Sequence, residues 1–90
     1  MRDLINKERR DQILKILEFN SPEALGENVI NHLVNEAGFN VDINVTKKDL
    51  FYLQDNKFID VEIVKNEQYG LKRFLCKITA KGIDYLEGVR

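Results

Sequence analysis

The chain has 90 residues, 43% hydrophobic and 32% charged, and its 14 Lys and Arg nearly balance its 15 Asp and Glu to leave a formal net charge of -1. A chain of this size buries about 60 to 65% of its unfolded surface, which allows one small core but no deep, enclosed catalytic cavity. We therefore expect one domain over residues 1–90, and the neutral total excludes a protein that coats nucleic acid through a large excess of positive charge.

The expected compartment follows from what the sequence omits. Cys76 is the only cysteine, so neither an intrachain disulfide nor a cysteine-based zinc site can form. No apolar run approaches the roughly 18 residues that span a bilayer, and the amino terminus lacks the apolar stretch of a signal peptide. We expect a cytoplasmic protein without a membrane partner.

Helical periodicity dominates the first two thirds of the chain. Apolar residues at helical spacing predict a first helix over 3–19, which Asn20, Ser21 and Pro22 end. An amphipathic stripe beginning at Leu25 and including Val29 predicts a second helix, and Gly38 suits the left-handed position after it. A third helical pattern begins after Asp42, a good N-cap, and ends near residue 56 or 57.

The period then changes from 3.6 to 2. Alternation over 59–63 and again over 73–78, separated by the turn-rich segment 66–70, predicts a β-hairpin. Thr79 is placed to cap a closing helix in which Ile83, Leu86 and Tyr85 pack inward. The predicted order is helix, helix, helix, hairpin, helix, in one α+β domain.

Two segments resemble the winged helix-turn-helix superfamily. Residues 49–59 (DLFYLQDNKFI) are similar to the end of the third helix and the first wing strand of many winged-helix regulators. Within that first segment, Lys57 stands where the family usually has Gly. Residues 78–86 (ITAKGIDYL) are similar to the segment that follows the wing. The resemblance implies three helices, a hairpin wing and a C-terminal helix, with the third helix in the major groove of DNA and the wing on the backbone.

A second resemblance concerns origin. Residues 9–17 (RRDQILKIL) and, more loosely, 33–38 are similar to the small ArsR-like winged-helix proteins of Mu-like prophages, over about residues 6–88. This implies a phage- or prophage-encoded DNA-binding protein.

Charge is unevenly distributed along the chain. Residues 19–45 contain acidic groups but no Lys or Arg, whereas 71–90 are mainly basic and a lysine pair lies at 47–48. The amino-terminal end of the third helix and the wing are the elements that meet DNA in helix-turn-helix docking. The candidate DNA contacts are Asn44, Thr46, Lys47, Lys48, Lys72 and Arg73. The alternative for each cluster is a solvated charged face, and Asp49 and Asp55 dilute the charge of the helix.

Other side chains that could carry chemistry favour structural roles. A helical wheel turns Phe51 outward, where it would pack on the wing or on a second subunit, and places Asp49 toward the body. His32 has no second ligand nearby in sequence, and Cys76 alternates with core residues. Arg9 and Arg10 lie on the first helix, where a structural or dimer role is expected. We expect no metal, no cofactor and no enzyme activity.

The leading hypothesis is a small transcriptional regulator or DNA-associated factor that binds double-stranded DNA as a homodimer through the third helix and the wing. The alternative is a protein-interaction module that kept the winged-helix fold without DNA affinity and uses the acidic second helix or Phe51 as its contact surface.

Overall fold

A computed structural model describes residues 2–89 of the protein, which form four helices and three strands. They are α1 (Arg2–Phe19), β1 (Leu25–Gly26), α2 (Glu27–Glu36), α3 (Ile43–Asp55), β2 (Ile59–Asn66), β3 (Leu71–Ile78) and α4 (Ala80–Val89). The predicted α+β order of three helices, a hairpin and a final helix is confirmed. One short strand, β1, was not predicted.

The core lies where α1, α2 and α3 meet the hairpin and α4. Its fully or nearly buried apolar side chains are Ile13, Leu14, Leu17, Ile30, Val34, Leu50, Leu53, Ile59, Cys76, Ile78 and Leu86. The second half of α1 supplies three of these, which agrees with the apolar cluster in the sequence. Val29, predicted to face inward, is 49% exposed because α2 turns Ile30 and Val34 to the core instead.

The second helix begins later than its apolar stripe indicates. Leu25 and Gly26 pair with Cys76 and Leu75 as an antiparallel strand, so α2 begins only at Glu27. The sheet has three strands in the order β1-β3-β2, with β3 in the middle. The short strand β1 therefore links α1 to α2 and pairs with β3 of the wing.

The helix α3 is fixed at its amino-terminal end by the cap that the sequence predicts. The Asp42 carboxylate accepts hydrogen bonds from the backbone N–H groups of Asn44 (2.7 Å) and Val45 (3.2 Å). Two side chains of α2 hold the preceding turn, since the Asn31 and Asn35 amides both donate to the Val41 carbonyl oxygen. The connection from α2 to α3 is thus held at both of its ends.

The turn after α3 takes the conformation that glycine usually supplies. Lys57 has φ 65°, in the left-handed region that glycine adopts without strain. The carbonyl oxygen of Lys57 then accepts a hydrogen bond from the Thr79 hydroxyl at 2.7 Å. The same Thr79 oxygen accepts from the backbone N–H of Gly82 at 3.1 Å, which confirms the predicted cap of α4. The turn and α4 are therefore joined directly.

None of the helices within residues 2–89 combines the length and the apolar character that crossing a membrane requires.

Candidate nucleic-acid interface

The amino-terminal half of α3 presents polar side chains on its outer surface. Asn44 and Lys48 are exposed, and Lys47 is partly buried where α3 approaches the hairpin. These three predicted residues lie within about one turn and a half of helix directly after the Asp42 cap. The structure therefore brings them together on one surface.

Thr46 does not belong to that surface, and its prediction as a DNA contact is corrected. Its side chain is completely buried, and its hydroxyl accepts a hydrogen bond from the Asn31 amide at 2.9 Å. Thr46 lies four residues before Leu50 on the same inward face, so the helical spacing alone was enough to place it. Its role is to join α3 to α2.

Asp49 does not dilute the charge of the outer surface, because it is 3% exposed and lies between two arginines of α1. Arg9 donates to both carboxylate oxygens through Nε and Nη2. The Arg10 Nε lies 3.5 Å from Asp49 Oδ1, and Asn6 accepts a further hydrogen bond from Arg9 at 3.0 Å. The expected structural role of Arg9 follows from this geometry. The carboxylate that was expected to weaken a basic surface is neutralised behind the helix.

The hairpin separates its charged side chains onto two faces. The register pairs Ile63 with Phe74 and Lys65 with Lys72, so these side chains share the face that also buries Ile59, Cys76 and Ile78. We call this the inner face of the wing. The opposite, outer face carries Asp60, Glu62, Val64, Asn66, Leu71, Arg73, Leu75 and Lys77. Within the two strands, the inner face has lysines and no carboxylate, whereas the outer face mixes both signs.

The two predicted wing contacts therefore lie apart. Lys72 is exposed on the inner face beside α3, while Arg73, also exposed, pairs with Val64 on the outer face. Strand alternation already requires neighbouring residues to point in opposite directions, so the sequence contained this signal. The structure joins Lys72, but not Arg73, to the surface of α3.

Lys65 is the functional candidate that the list of predicted contacts omitted. It lies directly opposite Lys72 across the strand pair, and both side chains are exposed. Like charges at directly opposed positions weaken a sheet, so this pair contributes positive charge to the wing at some cost in stability. The pairing depends on the register of the hairpin, which the sequence left open by one or two residues.

An aromatic pair connects α3 to the wing. The rings of Phe51 and Phe74 meet edge to face with centroids 5.7 Å apart, and Phe51 keeps 45% of its surface exposed. Lys47, Leu50, Val61 and Cys76 line the same seam. The Lys72 ammonium lies 5.4 Å from the centre of the Phe74 ring. The outward position predicted for Phe51 is confirmed, and its packing partner is the wing.

A cleft lined by three aromatic rings lies on another side of α3. It has a volume of about 220 Å³ and is lined by Lys7, Arg10, Asp11, Tyr52, Leu53, Phe58 and Tyr85. Asp11 accepts hydrogen bonds from Lys7 and Tyr85 at 2.9 and 2.7 Å. The buried Nε of Arg10 has no hydrogen-bond partner among the described residues and lies 3.5 Å from Asp49 Oδ1. Burial and the bond to Asp11 raise the pKa of the Tyr85 hydroxyl. Across residues 2–89, no group of three or more His, Cys, Asp or Glu side chains is placed to hold a metal ion.

The geometry defines a winged helix: a capped third helix follows a short turn, and a two-stranded wing extends beside it. Among solved structures, the chain is similar to a PadR-like transcription factor from Bacteroides fragilis, with a TM-score of 0.82 and 22% identity over 98% of this chain and 82% of that one. It is also similar to a PadR-like transcriptional regulator from Bacillus cereus, with a TM-score of 0.68 and 28% identity over 88% of this chain and 74% of that one.

These likenesses show the winged-helix fold that the two sequence segments predicted. No protein-family model and no curated protein matches the chain.

Proposed function

We propose that the protein is a winged-helix transcriptional regulator that binds double-stranded DNA through α3 and the inner face of the wing. Both structural neighbours are transcriptional regulators and not enzymes, which supports a regulator without catalytic activity. The observation that carries the proposal is the sorting of charge onto one surface. Lys47 lines the seam with Val61 and Phe74 of the inner face, and the exposed Asn44 and Lys48 lie within one turn of Lys47 on α3. Lys65 and Lys72 continue the inner face of the wing toward the hairpin tip.

The removal of carboxylates from this surface matters as much as the lysines. Asp49 is buried and paired with Arg9, whereas Asp42 caps α3 and remains an exposed negative charge at the start of the helix. The acidic residues of the hairpin strands, Asp60 and Glu62, lie on the outer face of the wing. Phosphates approaching α3 and the inner face of the wing therefore meet four lysines, with Asp42 and Asp55 at the two ends of α3 and Glu67 in the hairpin turn.

Roles follow from position. The amide of Asn44 at the start of α3 can form two hydrogen bonds with an adenine edge, and Lys48 can reach a guanine edge or a phosphate. Lys47, Lys65 and Lys72 are placed to contact phosphates on either side of the groove. Arg73 reaches DNA only if the duplex also wraps the outer face of the wing.

The test is binding to a fluorescein-labelled duplex of mixed sequence, measured by anisotropy at several salt concentrations. Three phosphate contacts, or four if Lys48 also meets a phosphate, predict a slope of log Kobs against log[salt] of about -2.7 to -3.6 for each bound chain. Lys48→Glu and Lys72→Glu should each weaken binding and reduce that slope by about 1 or more. Arg73→Glu should have the smaller effect, because its side chain lies on the outer face.

Lys15→Glu is the matched control, since this exposed lysine of α1 undergoes the same change of charge away from the proposed surface. Equal losses for Lys15→Glu and Lys72→Glu would mean that only total charge matters. No binding by the wild-type chain at low salt would refute the proposal.

We also propose that two copies bind together, because one module of net charge -1 with four lysines at its surface gives weak binding. Leu4 and Ile5 are 56% and 50% exposed near the start of α1, and Val89 is 43% exposed at the end of α4. These apolar side chains on two helices that pack together are the surface we expect to pair. Sedimentation with and without DNA tests this, and a monomer in both cases would exclude it.

A protein-interaction module is the second candidate, and one residue favours it. Phe19 is 89% exposed and borders an open groove with Ile16 and Leu33 between α1 and α2. If protein contact rather than DNA binding is the function, Phe19→Ser should abolish partner binding while lysine changes on α3 leave it intact. The prophage origin and the cytoplasmic location are proposals that the neighbouring genes and cell fractionation test.

A further inference from the structure

The seam between α3 and the wing holds an aromatic side chain, Phe51, that is packed on one side and exposed on the other. Phe51 is 45% exposed in the middle of α3, and unlike the more exposed Phe19 it lies in the seam that Lys47 lines. One side of the Phe51 ring packs against Phe74 of the wing, and this contact fixes the orientation of the ring. The rest of the ring is open to solvent.

The charges around this ring indicate what it would meet. Lys47 lies one helical turn before Phe51 and lines the same seam, and Lys48 is exposed on the next position. On the wing side, the Lys72 ammonium lies 5.4 Å from the Phe74 ring centre. An apolar patch enclosed by lysines fits a partner that is anionic at its edges and apolar at its centre.

We propose that Phe51, supported by Phe74, reads the 5-methyl group of a thymine in the major groove. Thymine is the one base of unmodified DNA that offers an apolar group there, between two phosphate backbones that the lysines can hold. The ring is a specificity-determining contact, and Phe74 is a positioning residue that keeps it in place. This inference rests on the proposed DNA binding and adds a base preference to it.

The experiment begins with a random duplex pool from which the full chain selects its preferred sequence. Each thymine of that duplex is then replaced by uracil, one at a time, because uracil differs from thymine only by the missing methyl. At one thymine in each half-site, the wild-type chain should lose about three- to fivefold in affinity, the effect of one methyl removed from an apolar contact. Substitution at the other thymines should change little.

Phe51→Ala connects the effect to the ring: its affinity should become equal for thymine and uracil at that position. Phe51→Leu should keep part of the preference, since it retains apolar surface. Tyr52→Ala is the matched control, because Tyr52 is exposed to a similar 47% but its ring stacks on Arg10, 3.8 Å away, on the side of α1. Circular dichroism establishes that each variant is folded.

The possible results distinguish a failure of the thymine contact from a failure of DNA binding itself. If the wild-type chain selects a duplex and binds every uracil version equally, the thymine inference is overturned and the DNA-binding proposal stands. If the uracil effect persists at full size in Phe51→Ala, Phe51 is not the reader. If no duplex is selected at all, the proposed function fails and the inference fails with it.

Discussion

The buried ion cluster between α1 and α3 gives the sharpest prediction about stability. Asp49 is 3% exposed and Arg9 is 7% exposed, and they share two hydrogen bonds while Arg10 lies 3.5 Å away. Asp49→Ala leaves the Arg9 guanidinium buried without its counter-charge, a change that costs about 3 to 5 kcal/mol. A domain of this size has about 5 to 13 kcal/mol in total, so the variant should lose a large part of its stability.

The measurement is urea unfolding followed by far-ultraviolet circular dichroism, with thermal melting as a second observable. A loss of 3 to 5 kcal/mol corresponds to a decrease in Tm of about 12 to 40 °C for a domain of 60 to 100 residues. Asp55→Ala, an exposed carboxylate at the end of the same helix, is the control and should change stability by less than about 0.5 kcal/mol.

A double variant tests the cause. Arg9→Met combined with Asp49→Leu removes both charges and fills the space with apolar groups, so it should recover most of the stability lost in Asp49→Ala. The reasoning fails if Asp49→Ala costs less than about 1 kcal/mol, or if the double variant is no more stable than Asp49→Ala alone.

Three further predictions concern single positions. Lys57→Gly should stabilise the fold by about 1 kcal/mol, because a residue with a side chain is strained at φ 65° and glycine is not. Lys57→Ala should leave the stability unchanged, and chemical denaturation measures both variants. Gly82→Ala should cost about 3 kcal/mol or more, since its Cβ would lie 2.3 Å from the carbonyl oxygen of Phe58, while Gly88→Ala, with nothing within 4 Å, should be neutral or slightly stabilising. Burial raises the pKa of the Cys76 thiol to about 12, so thiol reagents should react only after unfolding at pH 8. Between pH 9 and 12 only the unfolded thiol ionises, so stability should fall with rising pH, and Cys76→Ala should flatten that decline.

The elements that the sequence predicted well depend on local signals. The cap at Asp42, the end of α1 before Pro22 and the change from helical to alternating periodicity all act within a few residues. The strand β1 has no such signal, because Leu25 and Gly26 become a strand only by pairing with residues near position 75. A two-residue strand defined by a partner fifty positions away carries no period of its own.

The candidate interface was predictable only where local helical spacing determines which side chains face outward. Helical spacing placed Asn44 and Lys48 outward correctly, and applied strictly it also puts Thr46 on the inward face with Leu50. The partner of Asp49 is 40 positions away on α1, so no local rule could show that its charge is neutralised. Opposing lysines at 65 and 72 likewise require the hairpin register, not only its existence.

The net charge of -1 acquires a different meaning once each carboxylate has a position. Asp11 and Asp49 are paired with basic side chains of α1, Asp42 caps α3, and the acids of the wing strands lie on its outer face. A neutral total therefore coexists with one surface on which lysines are not compensated, and the long-range repulsion of DNA by the remaining acids lowers affinity without abolishing the local attraction. With a neutral total charge, direct contacts between the lysines and phosphates contribute more to binding than long-range electrostatic attraction does. In a chain with few phosphate contacts, discrimination among sequences would then depend on the side chains that we propose as base contacts, which are Asn44, Lys48 and the ring of Phe51.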